Sequence, residues 1–217
     1  MERTSPDTKE NILGRGTDRN FYLPRLAREF YVGDAVVHWT MPMASRATGW
    51  LDEIFHARFR EIMLHAMARE GLICPTYCLM PDHIHLIWMG LNHDSDQLIG
   101  MKFLREHLGP ALSPHRFQHQ AHDHVLRGED RKRGAFARVC FYILSNPIRA
   151  GLTKESETWP FGGAVVPGYP KFHPAEAGFW PRFWKIVQAS RQPDARERKL
   201  PLRASRTGTV DVATKEE

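Results

Sequence analysis

The chain has 217 residues, of which 42% are hydrophobic and 25% charged, as expected for one soluble domain with tails. No apolar run approaches the roughly 20 residues that cross a bilayer, so we expect neither a membrane span nor, from the polar N-terminus, a secretory signal. Three cysteines cannot form a disulfide framework, which favours a reducing cytoplasm. The formal charge is +5, and 22 of the 30 basic residues are arginine. Because guanidinium groups bind phosphate in bidentate contacts, this composition favours a nucleic-acid partner.

Two terminal segments differ in composition from the rest of the chain. Residues 1–20 contain few apolar side chains, and we expect them to form a flexible arm. Residues 191–217 contain seven basic and five acidic residues and no aromatic residue. Such a segment cannot bury enough apolar surface to order itself, so we expect it to be disordered. Residues 21–190 are predicted to form the only domain.

The hydrophobic periodicity of this domain changes in a regular way along the chain. Alternating or β-branched runs predict strands, and apolar residues three and four apart predict helices. The predicted order is β-α-β-β-α-β-α, and its first six elements match a ferredoxin-like split βαβ sandwich, a four-stranded antiparallel sheet with helices on one face. The predicted strands are 35–43, 72–79, 83–89 and 117–127, and the predicted helices are 50–70, 97–108 and 135–146, the last ended by Pro147.

The strongest local motif is PDHIHLIW at positions 81–88, which ends a predicted turn and begins a strand. Alternate side chains of a strand share a face, so His83 and His85 project to one side. Ile84 and Leu86 then point the other way, into the core. Two imidazoles on one face of a sheet can chelate one metal ion, whereas a lone pair of this kind is more often simply solvated.

A rival histidine pair lies at His122 and His124, with His119 close by. If these two histidines face outward on a strand, the intervening Asp123 points to the core. A buried carboxylate costs free energy unless it is paired, so this arrangement is poor for a metal site on a buried strand. We therefore prefer the pair at 83 and 85.

A zinc site formed by Cys74, Cys78 and the two preferred histidines is a second alternative. Residues four apart on a strand share a face, but their side chains are roughly 13 Å apart. One ion could reach both sulfurs only if the strand bends, and tetrahedral zinc sites usually have closer cysteine spacing. Buried cysteines are the simpler interpretation.

The third predicted helix has a polar face opposite its apolar stripe. Arg138, Tyr142 and Asn146 are successive members of an i, i+4 series, so they lie on one side of the helix. A tyrosine one turn from an amide, with a cation one turn behind, could form a phosphoryl-transfer site. Alternatively Asn146 caps a turn before Pro147, and Tyr142 is only a packing aromatic. The predicted apolar stripe is Phe136, Val139, Cys140 and Ile143.

Together, PDHIHLIW and the later motif YIxxNPxRAGL resemble the single-tyrosine transposases of the HUH endonuclease superfamily. The chain is most similar to the tyrosine transposases associated with repetitive extragenic palindromes (REP). The resemblance runs from about 24 to 152 and includes PRLAREFYVGDAVVHWTM, YCLMPDHIHLIW and AHDHVLRGED. It implies that His83 and His85 are metal ligands, that Tyr142 is the nucleophile, and that Asn146 completes the metal shell.

The reaction that this resemblance implies is cleavage of single-stranded DNA through a 5′-phosphotyrosine intermediate, followed by strand transfer, at hairpin-flanked sites. A phenol is a poor nucleophile at neutral pH, and a divalent ion beside it can polarise the scissile phosphate. An oxygen ligand together with water and phosphate suits Mg²⁺ or Mn²⁺. We expect a monomer that contacts DNA through basic residues on the path to the tyrosine: Arg127, Arg131, Lys132, Arg133, Arg138 and Arg149.

Some features depart from this family pattern. Many relatives have a further histidine two residues after the tyrosine, where this chain has Leu144, and the segments 113–120 and 159–170 match only loosely. Two other functions therefore stay open: an inactive, domesticated protein that binds hairpin DNA, and a zinc hydrolase that uses a histidine from 119–124. The aromatic and basic cluster at 179–185 could stack unpaired bases or could dock a terminal helix on the core.

Overall fold

A central hairpin organises the sheet. Strands β2 (Leu72–Met80) and β3 (His83–Gly90) pair antiparallel, and every residue of β2 is buried. On its other side β3 pairs with β1 (Val36–Pro42), which in turn pairs with the short strand β4 (His122–Val125). A fifth strand, β5 (Gly162–Val165), pairs with the outer edge of β2. The strand order is therefore β4-β1-β3-β2-β5, antiparallel throughout.

The structure is a computed structural model that describes residues 24–128, 134–154 and 158–191. The predicted arm at 1–20 lies outside these ranges, as does the predicted tail except for Arg191, which is the last residue of a helix. None of the helices in the described ranges combines the length and hydropathy that crossing a bilayer requires.

In the described ranges, four α-helices cover the two faces of the sheet. Helices α1 (Glu53–Glu70) and α2 (Gln97–Leu108) pack on one face, and Asp52 and Asp96 cap their N-termini through side-chain hydrogen bonds. Helices α3 (Ala135–Arg149) and α4 (Phe179–Arg191) pack on the opposite face. Because both faces are covered, the protein has two hydrophobic cores separated by the sheet.

The α+β split βαβ arrangement predicted from the sequence is confirmed, and its four strands have the expected relative order. The prediction missed β5, whose GGAV sequence is too short and glycine-rich to give a strand signal. It also ended the third helix at 146, whereas α3 continues through Pro147 to Arg149. The expected apolar stripe of this helix does face the sheet, with Cys140 and Ile143 buried.

A bulge in β2 overturns one sequence expectation. Cys74 and Cys78 were expected to share a face because they are four apart, but they lie in different hydrophobic cores. The pairing with β3 shifts register between Ile73 and Thr76, and an extra residue there reverses the alternation of the side chains. The two thiols therefore cannot bind one metal ion, and burial raises the pKa of each.

The buried side-chain amide of Gln97, the first residue of α2, connects this helix to the chain in and just before β1. Gln97 is fully buried, and its side-chain nitrogen donates to the carbonyl oxygen of Ala35 at 2.8 Å. Its side-chain oxygen accepts a hydrogen bond of 3.0 Å from the indole nitrogen of Trp39, which is itself fully buried. The amide thus satisfies a donor that no water can reach.

We predict that Gln97→Leu destabilises the fold by about 1–3 kcal/mol, because the indole N–H of Trp39 then stays buried without an acceptor. Urea unfolding followed by circular dichroism measures this loss. Gln188→Leu is the matched control, because Gln188 is exposed on α4 and its replacement should change stability by no more than about 0.5 kcal/mol. Equal midpoints for the two variants would contradict this role of the amide.

Candidate active site

The two histidines of β3 converge on one point. His83 and His85 alternate with Ile84 and Leu86, both fully buried in the core beneath α1 and α2. The Nε2 atoms of the two imidazoles are 3.0 Å apart. Two nitrogens that bind one ion at about 2.1 Å, at right angles to each other, are separated by about 3.0 Å. The spacing of the pair therefore fits two ligands of a single octahedral ion.

The remaining nitrogen of each imidazole has a partner. Nδ1 of His83 lies 2.6 Å from Oδ1 of Asp82, and the other carboxylate oxygen, Oδ2, accepts a hydrogen bond of 2.9 Å from Arg46. Nδ1 of His85 lies 3.1 Å from Nε2 of His38 and 3.0 Å from Oγ1 of Thr40, both on β1. Such contacts are typical of histidines that bind metals, because they fix the ring orientation and leave Nε2 as the ligand.

Burial keeps the inner imidazoles neutral. Desolvation, with a smaller contribution from His38 and His83, lowers the pKa of His85 to about 3. Desolvation and the neighbouring His124 lower the pKa of His38 to about 4. A neutral imidazole keeps the nitrogen lone pair that a metal or a proton needs. At neutral pH these side chains are therefore in the state that can act as ligands.

Helix α3 brings Tyr142 against His85 and His38. The ring centroid of Tyr142 lies 5.6 Å from that of His85 and 6.2 Å from that of His38, edge to face in both contacts. The side chain is 37% exposed, so its environment is open to a ligand from solvent. The guanidinium carbon of Arg149 lies 5.1 Å from the centroid of the tyrosine ring. The phenol thus sits between an imidazole pair and a cation.

Asn146, the third expected ligand, lies one turn after the tyrosine on the same helix. Its amide nitrogen donates to the carbonyl oxygen of Tyr142 at 3.0 Å, and the hydroxyl of Ser145 donates to the same oxygen at 3.2 Å. Asn146 is therefore a residue within the helix and not the cap of a turn before Pro147. Only the amide oxygen of Asn146 is chemically suited to a metal, since the nitrogen is a donor.

The rival histidine pair lies on the edge strand β4. His122 and His124 are exposed and stand opposite Thr40 and His38 in the register of β1 and β4. Asp123 points to the other side, as expected, where its carboxylate accepts a 2.5 Å hydrogen bond from the hydroxyl of Tyr31. Within the described ranges, no group of three or more His, Cys, Asp and Glu side chains is arranged to hold a metal ion.

Sequence reasoning did not find His38 and Thr40. Both lie on β1, far from the histidine motif in the chain, and their alternation indicates only that they share a face. Their contact with His85 depends on the strand register, which pairs Thr40 with His85. A register of this kind is not readable from a single sequence, so no local signal could have identified the two residues.

Three of the six predicted DNA-contacting residues can be placed. Arg127, Arg138 and Arg149 are all exposed, and Arg149 is the one that contacts the tyrosine ring. Arg131, Lys132 and Arg133 lie outside the described residues. The expectation that basic side chains line a path to Tyr142 stays a prediction for the group as a whole.

The fold can be compared with solved structures. The structure of a REP-associated tyrosine transposase bound to a REP hairpin matches 64% of this chain and 82% of its own, with a TM-score of 0.54 and 19% sequence identity. This chain has the tyrosine-transposase fold. A crystal structure of a protein of Deinococcus radiodurans R1 described as a transposase gives a TM-score of 0.37 at 15% identity, over 54% of this chain and 96% of that one. No protein-family model and no curated protein sequence matches the chain.

We predict that the metal-free protein loses stability as the pH falls from about 6.5 to about 4. The pKa values of His38 and His85 are lowered on folding, so the unfolded chain takes up protons before the folded protein does in this window. Thermal unfolding in the presence of a chelator measures the effect. His38→Gln should show a shallower decline than the wild type, and an identical decline would contradict the assignment of this buried imidazole.

Proposed function

We propose that the protein is a metal-dependent endonuclease and strand transferase that acts on single-stranded DNA at hairpin-flanked sites, with Tyr142 as the nucleophile. The observation that carries this proposal is the position of the Tyr142 ring, 5.6 Å from that of His85, whose Nε2 meets the Nε2 of His83 at 3.0 Å. A phenol beside two convergent imidazoles unites a nucleophile with ligands for an electrophilic ion.

The residues present fit a divalent cation. His83 and His85 would hold it through Nε2, and Asn146 would supply an amide oxygen as the third ligand. Mg²⁺ and Mn²⁺ suit this donor set, since open positions would remain for water and phosphate oxygens. A bound ion of this kind would polarise the scissile phosphate and offset the charge that develops on its oxygens.

The reaction follows from the chemistry of the tyrosine. The phenol oxygen of Tyr142 loses its proton and attacks phosphorus, the bond to the 3′-oxygen breaks, and that oxygen leaves as a 3′-hydroxyl after it gains a proton. A 5′-phosphotyrosine link results, so the phosphodiester is exchanged and not hydrolysed. Attack by another 3′-hydroxyl reverses the step and joins two strands without a further energy source. Arg149, above the ring, would hold the phosphate in line.

The proposed substrate is single-stranded at the cleavage point. Tyr142 is 37% exposed, so a phosphate of an unpaired strand could approach it from solvent. The similar transposase structure is bound to a REP hairpin, which supports a hairpin beside the cleavage site. Exposed arginines at 127, 138 and 149 supply positive charge for the phosphate backbone.

We predict that Tyr142→Phe forms no covalent DNA adduct, because the substitution removes the attacking oxygen and keeps the ring. The loss should reach at least about a thousandfold, with fold and DNA affinity unchanged. Incubation of labelled single-stranded DNA carrying a hairpin with Mn²⁺, followed by denaturing electrophoresis, measures the adduct. Tyr169→Phe is the matched control, because Tyr169 is 40% exposed and lies in a loop after β5.

The outcomes of this assay also separate the alternative functions. A wild-type protein that binds the DNA and forms no adduct would be an inactive hairpin-binding protein. A protein that neither binds nor reacts would have another function, such as hydrolysis. An adduct mapped by mass spectrometry to a tyrosine other than Tyr142 would refute the assigned nucleophile.

We predict that His83→Ala or His85→Ala abolishes cleavage while DNA binding persists, because affinity depends on many phosphate contacts.

Asp82→Asn should weaken Mn²⁺ binding about 10- to 100-fold, because the amide no longer accepts strongly from Nδ1 of His83. Isothermal titration of the DNA-free protein with Mn²⁺ measures affinity independently of activity. Asp94→Asn is the control and should bind Mn²⁺ as the wild type does, because Asp94 is exposed in the loop that follows the opposite end of β3. Unchanged affinity in all three site variants would refute the metal site.

A further inference from the structure

We propose that the outer surface of α3 and α4 contains two clefts that bind unpaired bases of the DNA strand, one on each side of Phe141. This inference rests on the proposed function, since it names where the strand around the reacting phosphate is held. It adds a base-binding surface, and residues that contact bases, to the nucleophile and metal ligands already described.

Phe141 is unusually exposed for an aromatic residue. Its relative exposure is 73%, and it directly precedes Tyr142 on α3. Phe141 and Leu144 line both clefts, so they form the ridge between them. An apolar ring exposed to this extent costs free energy in water, which a stacked ligand would recover.

The larger cleft lies between α3 and the chain around β5. Its volume is about 580 Å³, and its apolar lining includes Trp159 and Ile148. Trp159 is fixed, because its indole nitrogen donates to the carbonyl of Leu79 at 2.9 Å. Arg149 and His173 supply polar groups at this cleft. Rigid aromatic walls with a few hydrogen-bonding groups are the environment in which proteins hold a planar base.

The smaller cleft lies between α3 and α4. Its volume is about 290 Å³, and its walls include Phe136, Trp180 and Trp184. The Phe136 ring lies 5.9 Å and 5.3 Å from the rings of the two tryptophans, and Trp184 is 38% exposed. Of the two roles considered from sequence for the cluster at 179–185, docking is observed, because Phe179 and Phe183 pack α4 on the core. The two tryptophans face the cleft, where the proposed stacking would occur.

The positive charge of this surface favours DNA, and not a second copy of the chain, as the ligand of the two clefts. Helices α3 and α4 together contain five basic residues and no acidic residue, whereas α1 and α2 contain five basic and four acidic residues. A two-fold dimer formed through this face would oppose its own positive charge. A polyanion instead gains from the same charge, and the aromatic clefts between the cations suit its bases.

The larger cleft also adjoins the reaction centre. Arg149 lines it and at the same time contacts the ring of Tyr142 at 5.1 Å. A nucleotide whose base occupies this cleft would therefore have its phosphate near the proposed nucleophile. Base stacking would fix the strand around the reacting phosphate, which lowers the entropy cost of the in-line geometry.

The test measures DNA affinity in a Tyr142→Phe background, where no cleavage interferes. Fluorescence anisotropy with a single-stranded 20-mer and with a blunt hairpin of the same length compares Phe141→Ala, Trp184→Ala and the control Ile54→Ala. Ile54 is a large apolar residue that is 81% exposed on α1, on the opposite face of the sheet. We expect each of the first two variants to weaken single-strand binding about 5- to 100-fold, with hairpin binding and the salt dependence unchanged, since no charge is removed.

Photo-crosslinking identifies the contact directly. A single-stranded oligonucleotide with 5-iodouridine beside the cleavage point should label peptides that contain Phe141, Trp180 or Trp184. Unchanged single-strand affinity in both variants, or labelling confined to α1 and α2, would overturn the inference. The proposed function would stay intact as long as the wild type binds single-stranded DNA. A wild-type dimer that Phe141→Ala converts to a monomer would overturn it in favour of a self-interface. A wild type with no affinity for single strands would refute both proposals.

Discussion

The pleat of strand β3 is the constraint on which the rest of the site depends. Because successive side chains point to opposite faces, this one strand contributes Ile84 and Leu86 to one core and His83 and His85 to the other side. The strand lies between β1 and β2, so the histidines are held at the centre of the sheet, where backbone movement is restricted on both sides. A rigid base of this kind holds the two Nε2 atoms 3.0 Å apart, within hydrogen-bonding distance of each other.

The proposed active site lies on the face of the sheet that α3 and α4 cover. The burial of Cys140 and Ile143 against the sheet orients α3, and the same orientation directs Tyr142 to the ring of His85. The packing of the apolar stripe therefore also determines where the proposed nucleophile lies. The same packing leaves Phe141 exposed beside the tyrosine, so the features proposed to bind DNA bases follow from the same helix geometry.

The likeness to a solved transposase concerns the fold, and the chemistry depends on particular side chains. A fold can host many activities, so a similarity at 19% identity concerns the fold alone. The function proposed for this chain therefore depends on its own side chains. The contacts of Asp82, His38 and Thr40 with the histidines fix the orientation of the two rings.

The amino-acid sequence by itself determined the hairpin, the split βαβ order and the shared face of His83 and His85, since all of these follow from periodicities of two and 3.6 residues. It also separated Tyr142 from the apolar stripe of its helix. Only the tertiary structure decided that His38 contacts His85, because strand register depends on pairing between distant segments. The bulge in β2 likewise depends on pairing with β3. The strand β5 forms by pairing with β2, although its own sequence has no strand preference.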